Sequence, residues 1–138
     1  MRILRRKNGV KIKISKTTED RLKLIQIAIE NELFHPRGYL KDFCIHKEKH
    51  SKTKDPIVIL YLGKKPVVCT TTIYIPIYDE KLLACFTKEE YRRKGYGTLA
   101  VVELLKAHTE QFSPHGAGFV PCYNFYRNAI QIATKSKG

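Results

Sequence analysis

The amino-acid sequence predicts a single domain of the α/β (α+β) class, in which strands and helices alternate along the chain. The chain has 138 residues, of which 43% are hydrophobic, enough for one core and too few for two ordinary domains. Short β-branched runs and segments of helical period follow one another in the order strand, helix, short helix, three strands, helix, strand, helix. One domain over residues 1–138 is therefore expected, with a basic and loose N-terminus at 1–8.

The first half of the chain begins with a strand and a helix. Residues Val10 to Ser15 alternate apolar and basic side chains, which is typical of a half-buried strand. Thr17 or Thr18 can then cap a helix that runs to about Asn31. A short second helix is predicted around Tyr39 to Cys44. The apolar residues of the first helix are Leu22, Leu24, Ile25, Ile27, Ala28 and Ile29.

The second half of the chain contains a hairpin, two further strands and two helices. The hairpin joins the runs "PIVILYLG" and "KPVVCTTTIYIPI" through residues 63–65. The remaining predicted elements are a strand from about Lys81 to Thr87, a helix from Gly97 to about Gln111, a strand near Gly118 to Cys122 and a helix over 124–135.

The charge of the chain indicates an anionic partner. Lysines and arginines number 26 against 13 acids, which gives a net charge of +13 and a pI near 9.7. Such a balance favours an anionic ligand, nucleic acid or a membrane surface, and it does not choose among them. The first sixteen residues contain basic side chains and no acid, so a nucleic-acid or ribosome contact is predicted there. These basic residues are Arg2, Arg5, Arg6, Lys7, Lys11, Lys13 and Lys16.

The cysteines and the hydropathy pattern favour a cytoplasmic protein. The four cysteines form no C-x-x-C pair, and no secretory signal or membrane-spanning stretch is recognised, so reduced thiols and no membrane contact are expected. Cys44, His46 and His50 are close enough to share a metal ion, but a fourth ligand is missing and lysines surround them. No metal site is therefore predicted. The cysteines are Cys44, Cys69, Cys85 and Cys122.

The stretch "EEYRRKGYGTLAVVELL", residues 89–105, places three basic residues and two glycines directly before an apolar helix. A nucleotide-hydrolysing loop is disfavoured because no Lys-Ser or Lys-Thr pair follows the glycines. Gly95, Gly97 and Ala100 fit the G-x-G-x-x-A dinucleotide fingerprint. That motif requires a strand running straight into the first glycine, whereas seven residues, 88–94, intervene here. An ordinary turn that caps a core helix is the remaining structural alternative.

The same stretch resembles the acetyl-coenzyme-A loop of the GNAT superfamily of N-acyltransferases, whose pattern is [Q/R]-x-x-G-x-[G/A]. Arg92, Gly95 and Gly97 occupy its three fixed positions. The resemblance implies a three-layer fold with a mixed, mostly antiparallel sheet that splays between its fourth and fifth strands and with helices on both faces. This chain is expected to depart from the family in a shortened C-terminus. The resemblance also implies acetyl-CoA as co-substrate, its pyrophosphate gripped by successive backbone N–H groups from Arg93 to Thr98.

The resemblance further implies which residues contact coenzyme A and which supply the leaving thiolate with a proton. Tyr126 or Tyr123 is the candidate acid, because Ala133 stands where the family's usual Tyr falls in one register. Asp79, Glu80, Glu30 and Glu32 remain open as the base. The implied coenzyme A contacts are Cys85, Phe86, Thr87, Arg92, Arg93, Lys94, Gly95, Tyr96, Gly97, Thr98 and Asn124.

The predicted function is a cytoplasmic N-acetyltransferase, monomeric or homodimeric, that transfers the acetyl group of acetyl-CoA to a primary amine of a protein or small molecule. The alternative is a basic GNAT-like binding protein that docks on nucleic acid or a protein with little or no catalysis. The departures in the last helix and the shortened C-terminus motivate that alternative.

Overall fold

The computed structural model of the chain describes residues 1–33, 56–75, 80–107 and 128–135. These ranges contain five strands, three helices, one short 3-10 turn at Glu89–Tyr91, and a tight turn at Lys7–Gly9 in which Asn8 and Gly9 have positive φ. The strands and helices are β1 Arg2–Arg5, β2 Val10–Ile14, α1 Thr18–Glu30, β3 Val58–Leu62, β4 Lys65–Ile75, β5 Glu80–Thr87, α2 Tyr96–Ala107 and α3 128–135.

The five strands form one sheet in chain order, and each strand is antiparallel to its neighbours. The predicted hairpin is confirmed: β3 and β4 are joined at Gly63, whose φ of +62° suits a residue without Cβ. The register shifts between Leu60 and Tyr61, where Tyr61 faces Pro66. Because proline has no N–H to give to the ladder, an irregularity is where a sheet accommodates it.

The N-terminus differs from the loose tail expected at 1–8, because Arg2–Arg5 forms the strand β1. Leu4 lies opposite Ile12 and packs against the core, which offsets the cost of ordering these basic residues. The turn to β2 uses Asn8 and Gly9, with φ of +65° and +75°. An Asn-Gly pair between two strands is a strong hairpin signal, so the sequence contained the information for this strand.

Buried side chains form two clusters, one on each face of the sheet. On β3, Val58 and Leu60 belong to one cluster, whereas Ile59 and Tyr61 belong to the other, as the alternation of a strand requires. The first cluster packs under α2 and α3, with Ala100, Val101, Leu104, Ala129 and Ala133. The second packs under α1, with Leu24, Ile25 and Ala28. The predicted three-layer arrangement, with helices on both faces, is confirmed.

The first helix begins where the sequence predicts, and α2 begins at Tyr96, one residue before the predicted Gly97, whereas the predicted start of the last helix at 124 lies outside the described residues. Thr17 caps α1: its hydroxyl accepts from the Asp20 amide at 3.1 Å, and the Asp20 carboxylate accepts from the Thr17 amide at 3.3 Å.

The predicted short helix around Tyr39 to Cys44 and the predicted strand near Gly118 to Cys122 lie outside the described residues, and so does the expected splay. None of the helices in the described ranges has both the length and the apolar character needed to cross a bilayer.

Candidate functional site

The candidate site is the loop between β5 and α2. After β5 ends at Thr87, the Lys88 amide donates to the Val67 carbonyl at 3.0 Å, which keeps the chain beside β4 for one more residue. The 3-10 turn Glu89–Tyr91 follows, and α2 begins at Tyr96. The loop therefore connects the last described strand of the sheet to the helix that packs on its face.

The backbone of this loop takes two left-handed residues. Arg93 has φ +64° and Gly95 has φ +85°. A Cβ added to Gly95 would meet no atom within 4 Å, so the glycine is favoured for its backbone angle and not for space. Gly97 lies in the first turn of α2 and needs no such angle. Of the two predicted glycines, Gly95 is thus the one on which the shape of the loop depends.

Six successive N–H groups in the loop have no acceptor among the described residues. The Arg92 amide donates to the Glu89 carbonyl at 3.2 Å, and the Leu99 amide donates to the Gly95 carbonyl at 3.1 Å. Between these two bonds, no acceptor in the described ranges pairs with the amides of Arg93 to Thr98. The last three belong to the first turn of α2, whose amides lack intrahelical partners and carry partial positive charge.

Arg92 ties the loop to the end of β5. Its Nε donates to the Thr87 carbonyl at 2.9 Å, and its guanidinium lies 5.6 Å from the centroid of the Phe86 ring. A bond from a side chain five residues along the chain closes the loop on itself, and stacking on the ring restricts the guanidinium further. The predicted residues Phe86, Thr87 and Arg92 are therefore brought together, with Arg92 holding the loop in place.

Further cations surround the loop. The ammonium groups of Lys65 and Lys94 lie 5.4 Å and 5.9 Å from the centroid of the Tyr91 ring. Arg93 is exposed nearby, and the exposed carboxylates of Glu89 and Glu90 offset part of the charge. Sequence reasoning missed Lys65 and Tyr91 as site residues, because the approach of the β4 start to the loop depends on the pairing of distant strands.

Cys85 lies on the opposite side of β5 from Phe86. Its half-buried Sγ is 4.0 Å from the Gly97 carbonyl, so it faces α2, whereas Phe86 packs against the cluster under α1. Among the described strands, β5 is an edge: it pairs with β4 on one side, with Cys85 opposite Thr70. Its outer edge thus offers backbone groups next to the glycine loop.

The other predicted site residues are placed less completely. Most of them lie outside the described residues: Tyr123, Asn124, Tyr126, Asp79, Cys44, His46 and His50. Glu80 is described by its backbone alone, at the start of β5. Glu30 accepts from Gln26 at 3.0 Å on the exposed side of α1, and Glu32 follows that helix with φ +54°. Within the described ranges, no three His, Cys, Asp or Glu side chains are grouped to hold a metal ion.

This chain is similar to known proteins in its architecture and not in its sequence. No protein-family model matches the chain, and no curated protein matches it. Among solved structures, a Pyrococcus horikoshii protein described as a "Putative Acetyltransferase" is similar over 91% of this chain, with a TM-score of 0.51 and 20% identity. This chain spans 43% of the length of that protein.

An aminoglycoside acetyltransferase from an uncultured soil metagenomic sample is also similar, in two crystal structures. The complex with trehalose gives a TM-score of 0.49 and 19% identity over 89% of this chain and 88% of that chain. The complex with sisomicin gives a TM-score of 0.47 and 18% identity over 95% of this chain and 89% of that chain. The sheet order, the helices on both faces and the match to the Pyrococcus structure together show that this chain has a GNAT-like fold.

Proposed function

We propose that the protein is an N-acetyltransferase that transfers the acetyl group of acetyl-CoA to a primary amine of a protein or small-molecule acceptor. The observation that carries this proposal is the run of six amides, Arg93 to Thr98, without an acceptor in the described part of the chain. A pyrophosphate has the acceptor oxygens and the negative charge that such a run attracts at a helix N-terminus. The GNAT-like fold supports the same assignment.

Each group around the loop has a role in this proposal. The amides of Arg93 to Thr98 hold the pyrophosphate, and Arg92 positions the loop through the Thr87 carbonyl. Lys65 and Lys94 add positive charge at the rim. The β5 segment Cys85, Phe86 and Thr87 is assigned to the pantetheine arm, through those of its main-chain groups that face the outer edge of the sheet. Acetyl-CoA itself supplies the acetyl group as an activated thioester.

The proton for the departing thiolate is assigned to Tyr126 or Tyr123, and Asn124 to a coenzyme A contact. A phenol, with an ordinary pKa of about 10, stays protonated at neutral pH and gives its proton to a group that develops negative charge beside it. These residues lie outside the described ranges, so their roles rest on the sequence. The cytoplasmic location and the monomeric or dimeric state likewise remain predictions.

Isothermal titration with coenzyme A and with acetyl-CoA tests the proposal. The wild-type protein is expected to bind both, and Gly95→Ala is expected to lose most of that affinity. An alanine at φ +85° disfavours the backbone shape that aims the amides outward, at a cost of about 1–2 kcal/mol. Gly95→Asn is expected to retain binding, because asparagine tolerates the left-handed region better than other side chains do.

The matched control is Gly63→Ala in the β3–β4 turn. Gly63 also has a positive φ, +62°, and a Cβ there would also meet no atom within 4 Å. Both alanine variants should therefore lose similar stability, while only Gly95→Ala loses coenzyme A binding. If the wild-type protein binds neither form of coenzyme A, or if both variants lose affinity equally, the proposal is wrong.

A further inference from the structure

The basic residues of the N-terminal strands are divided between the two faces of the sheet. Arg6 points to the α2 side, where its Nη2 lies 2.6 Å from Glu103 Oε1. The apolar side chains of β2 pack on that same side, so Lys11 and Lys13, which alternate with them, point to the α1 side. Arg5 lies directly opposite Lys11 and shares its face. The basic run therefore produces a separate cluster of three cations, Arg5, Lys11 and Lys13.

Two of these cations are held over one aromatic ring. The ammonium groups of Lys11 and Lys13 lie 4.8 Å and 4.9 Å from the centroid of the Tyr61 ring on β3. Tyr61 is only 6% exposed, so its ring is a buried platform under the two lysines and not itself a stacking surface. The ring fixes both ammonium groups on the same side of the sheet.

Within the described part of the chain, this cluster carries unbalanced charge. Arg5 and Lys11 are like charges directly opposite each other on adjacent strands, an arrangement that destabilises a sheet. None of Arg5, Lys11 and Lys13 forms an ion pair with a carboxylate of the described residues. Burial and, next, the neighbouring charge of Lys11 lower the pKa of Lys13. Other cations of the chain, such as Arg6 and Lys23, do have carboxylate partners.

We propose that Arg5, Lys11 and Lys13 form a docking surface for the phosphate backbone of nucleic acid. Consecutive phosphates supply the negative charges that the described residues do not give this cluster, and the net charge of +13 favours approach to a polyanion. Because the Tyr61 ring is covered, the contact is made to phosphates and not to bases, so binding is independent of sequence. The surface belongs to the first three strands and does not depend on the acetyltransferase proposal.

Fluorescence anisotropy with a labelled DNA duplex and a labelled single-stranded RNA, across a range of salt concentration, tests this surface. The double variant Lys11→Gln/Lys13→Gln is expected to bind more weakly and to lower the slope of log K against log salt by about 2, about 1 for each lysine. Lys11→Arg/Lys13→Arg, which keeps both charges, is expected to preserve binding and slope. Coenzyme A binding is expected to stay unchanged in both variants.

The matched control is Lys23→Gln/Lys135→Gln, which removes the same charge from exposed positions on α1 and α3. If the control weakens nucleic-acid binding as much as the glutamine double variant does, net charge and not this surface is responsible, and the proposal is wrong. It is also wrong if the Lys11→Gln/Lys13→Gln change abolishes binding to phosphatidylserine vesicles but leaves the affinity for both nucleic acids unchanged. Circular dichroism of each variant verifies that the sheet is intact.

Discussion

Arg6 donates a 2.6 Å hydrogen bond from Nη2 to Oε1 of Glu103, and this bond joins the N-terminal hairpin to α2 across 97 residues of sequence. Glu103 is only 3% exposed, and its other cation, Lys106, lies 3.5 Å away. Among the described residues, removing Arg6 leaves the buried carboxylate with Lys106 as its one cation, at 3.5 Å. Arg6→Met is therefore expected to lower the free energy of unfolding by about 1–3 kcal/mol in urea denaturation, less than for a fully buried pair because Arg6 is itself 42% exposed.

Lys106→Met is the control for that prediction. Its ammonium group is farther from Glu103 and belongs to an i,i+3 pair on the same helix, so a loss below about 1 kcal/mol is expected. If Lys106→Met proved more destabilising than Arg6→Met, the link between the hairpin and α2 would not be the dominant interaction of Glu103.

The Asp20 carboxylate at the start of α1 predicts a dependence of stability on acid. The hydrogen bond that the Asp20 carboxylate accepts from the Lys16 amide is the main cause that lowers the pKa of Asp20. The Met1 amino group and the hydrogen bond from the Thr17 amide lower this pKa further. A lowered pKa in the folded state means that this contribution is complete above the unfolded pKa, about 3.9, and is lost as the pH falls through the lowered value. The urea midpoint of the wild-type protein is therefore expected to fall over this acidic range, and that of Asp20→Asn to fall less.

Glu19→Gln provides the comparison for Asp20→Asn. Glu19 is an exposed neighbour whose carboxylate contacts Lys23 at 3.3 Å in an i,i+4 pair. Because such a surface pair contributes little, the acid dependence of Glu19→Gln should follow that of the wild-type protein. Equal flattening of the pH profile in both variants would contradict the role assigned to Asp20.

Local signals in the sequence predicted most of the elements. The Thr17 cap, the turn at Gly63 and the apolar period after Gly97 each depend on a few neighbouring residues, and each is found in the structure. The strand β1 was missed because its charge suggested a tail, although Leu4 and the Asn8-Gly9 turn were signals for it. Partners that depend on packing between distant segments, such as Arg6 and Glu103, have no local signal.

In the candidate site, too, features that depend on neighbouring residues were predicted, and contacts between distant segments were not. The glycine spacing predicted a loop with outward amides, and Gly95 does take a positive φ there. The sequence could not predict that Arg92 would bond the Thr87 carbonyl, or that Lys65 would approach Tyr91, because both depend on how β4, β5 and the loop fold together. Tyr123 and Tyr126 remain predictions of the sequence alone.

Alanine variants at two leucines of α1 allow the stability due to core packing to be measured separately from the effect of helix propensity. Leu24 is fully buried against the sheet, whereas Leu22, two residues earlier in the same apolar run, is 51% exposed. Leu24→Ala is expected to lower the free energy of unfolding by about 2–5 kcal/mol, because it leaves a cavity under the helix. Leu22→Ala should stay within about 0.5 kcal/mol of wild type in the same chemical denaturation experiment. Similar losses would mean that α1 does not dock on the sheet through Leu24.

Variants of Arg92 and Arg93 test whether the loop binds its anion through a fixed backbone shape or through positive charge alone. Arg92 bonds the Thr87 carbonyl, whereas Arg93 is exposed with φ +64°, an angle that asparagine tolerates. Arg92→Met and Arg93→Asn each remove one positive charge. If Arg92 holds the amides in position, Arg92→Met should lower coenzyme A affinity several-fold more than Arg93→Asn in isothermal titration, with both proteins folded. Equal losses would indicate that the loop attracts its anion through net charge, and that the Thr87 bond has no part in positioning the amides.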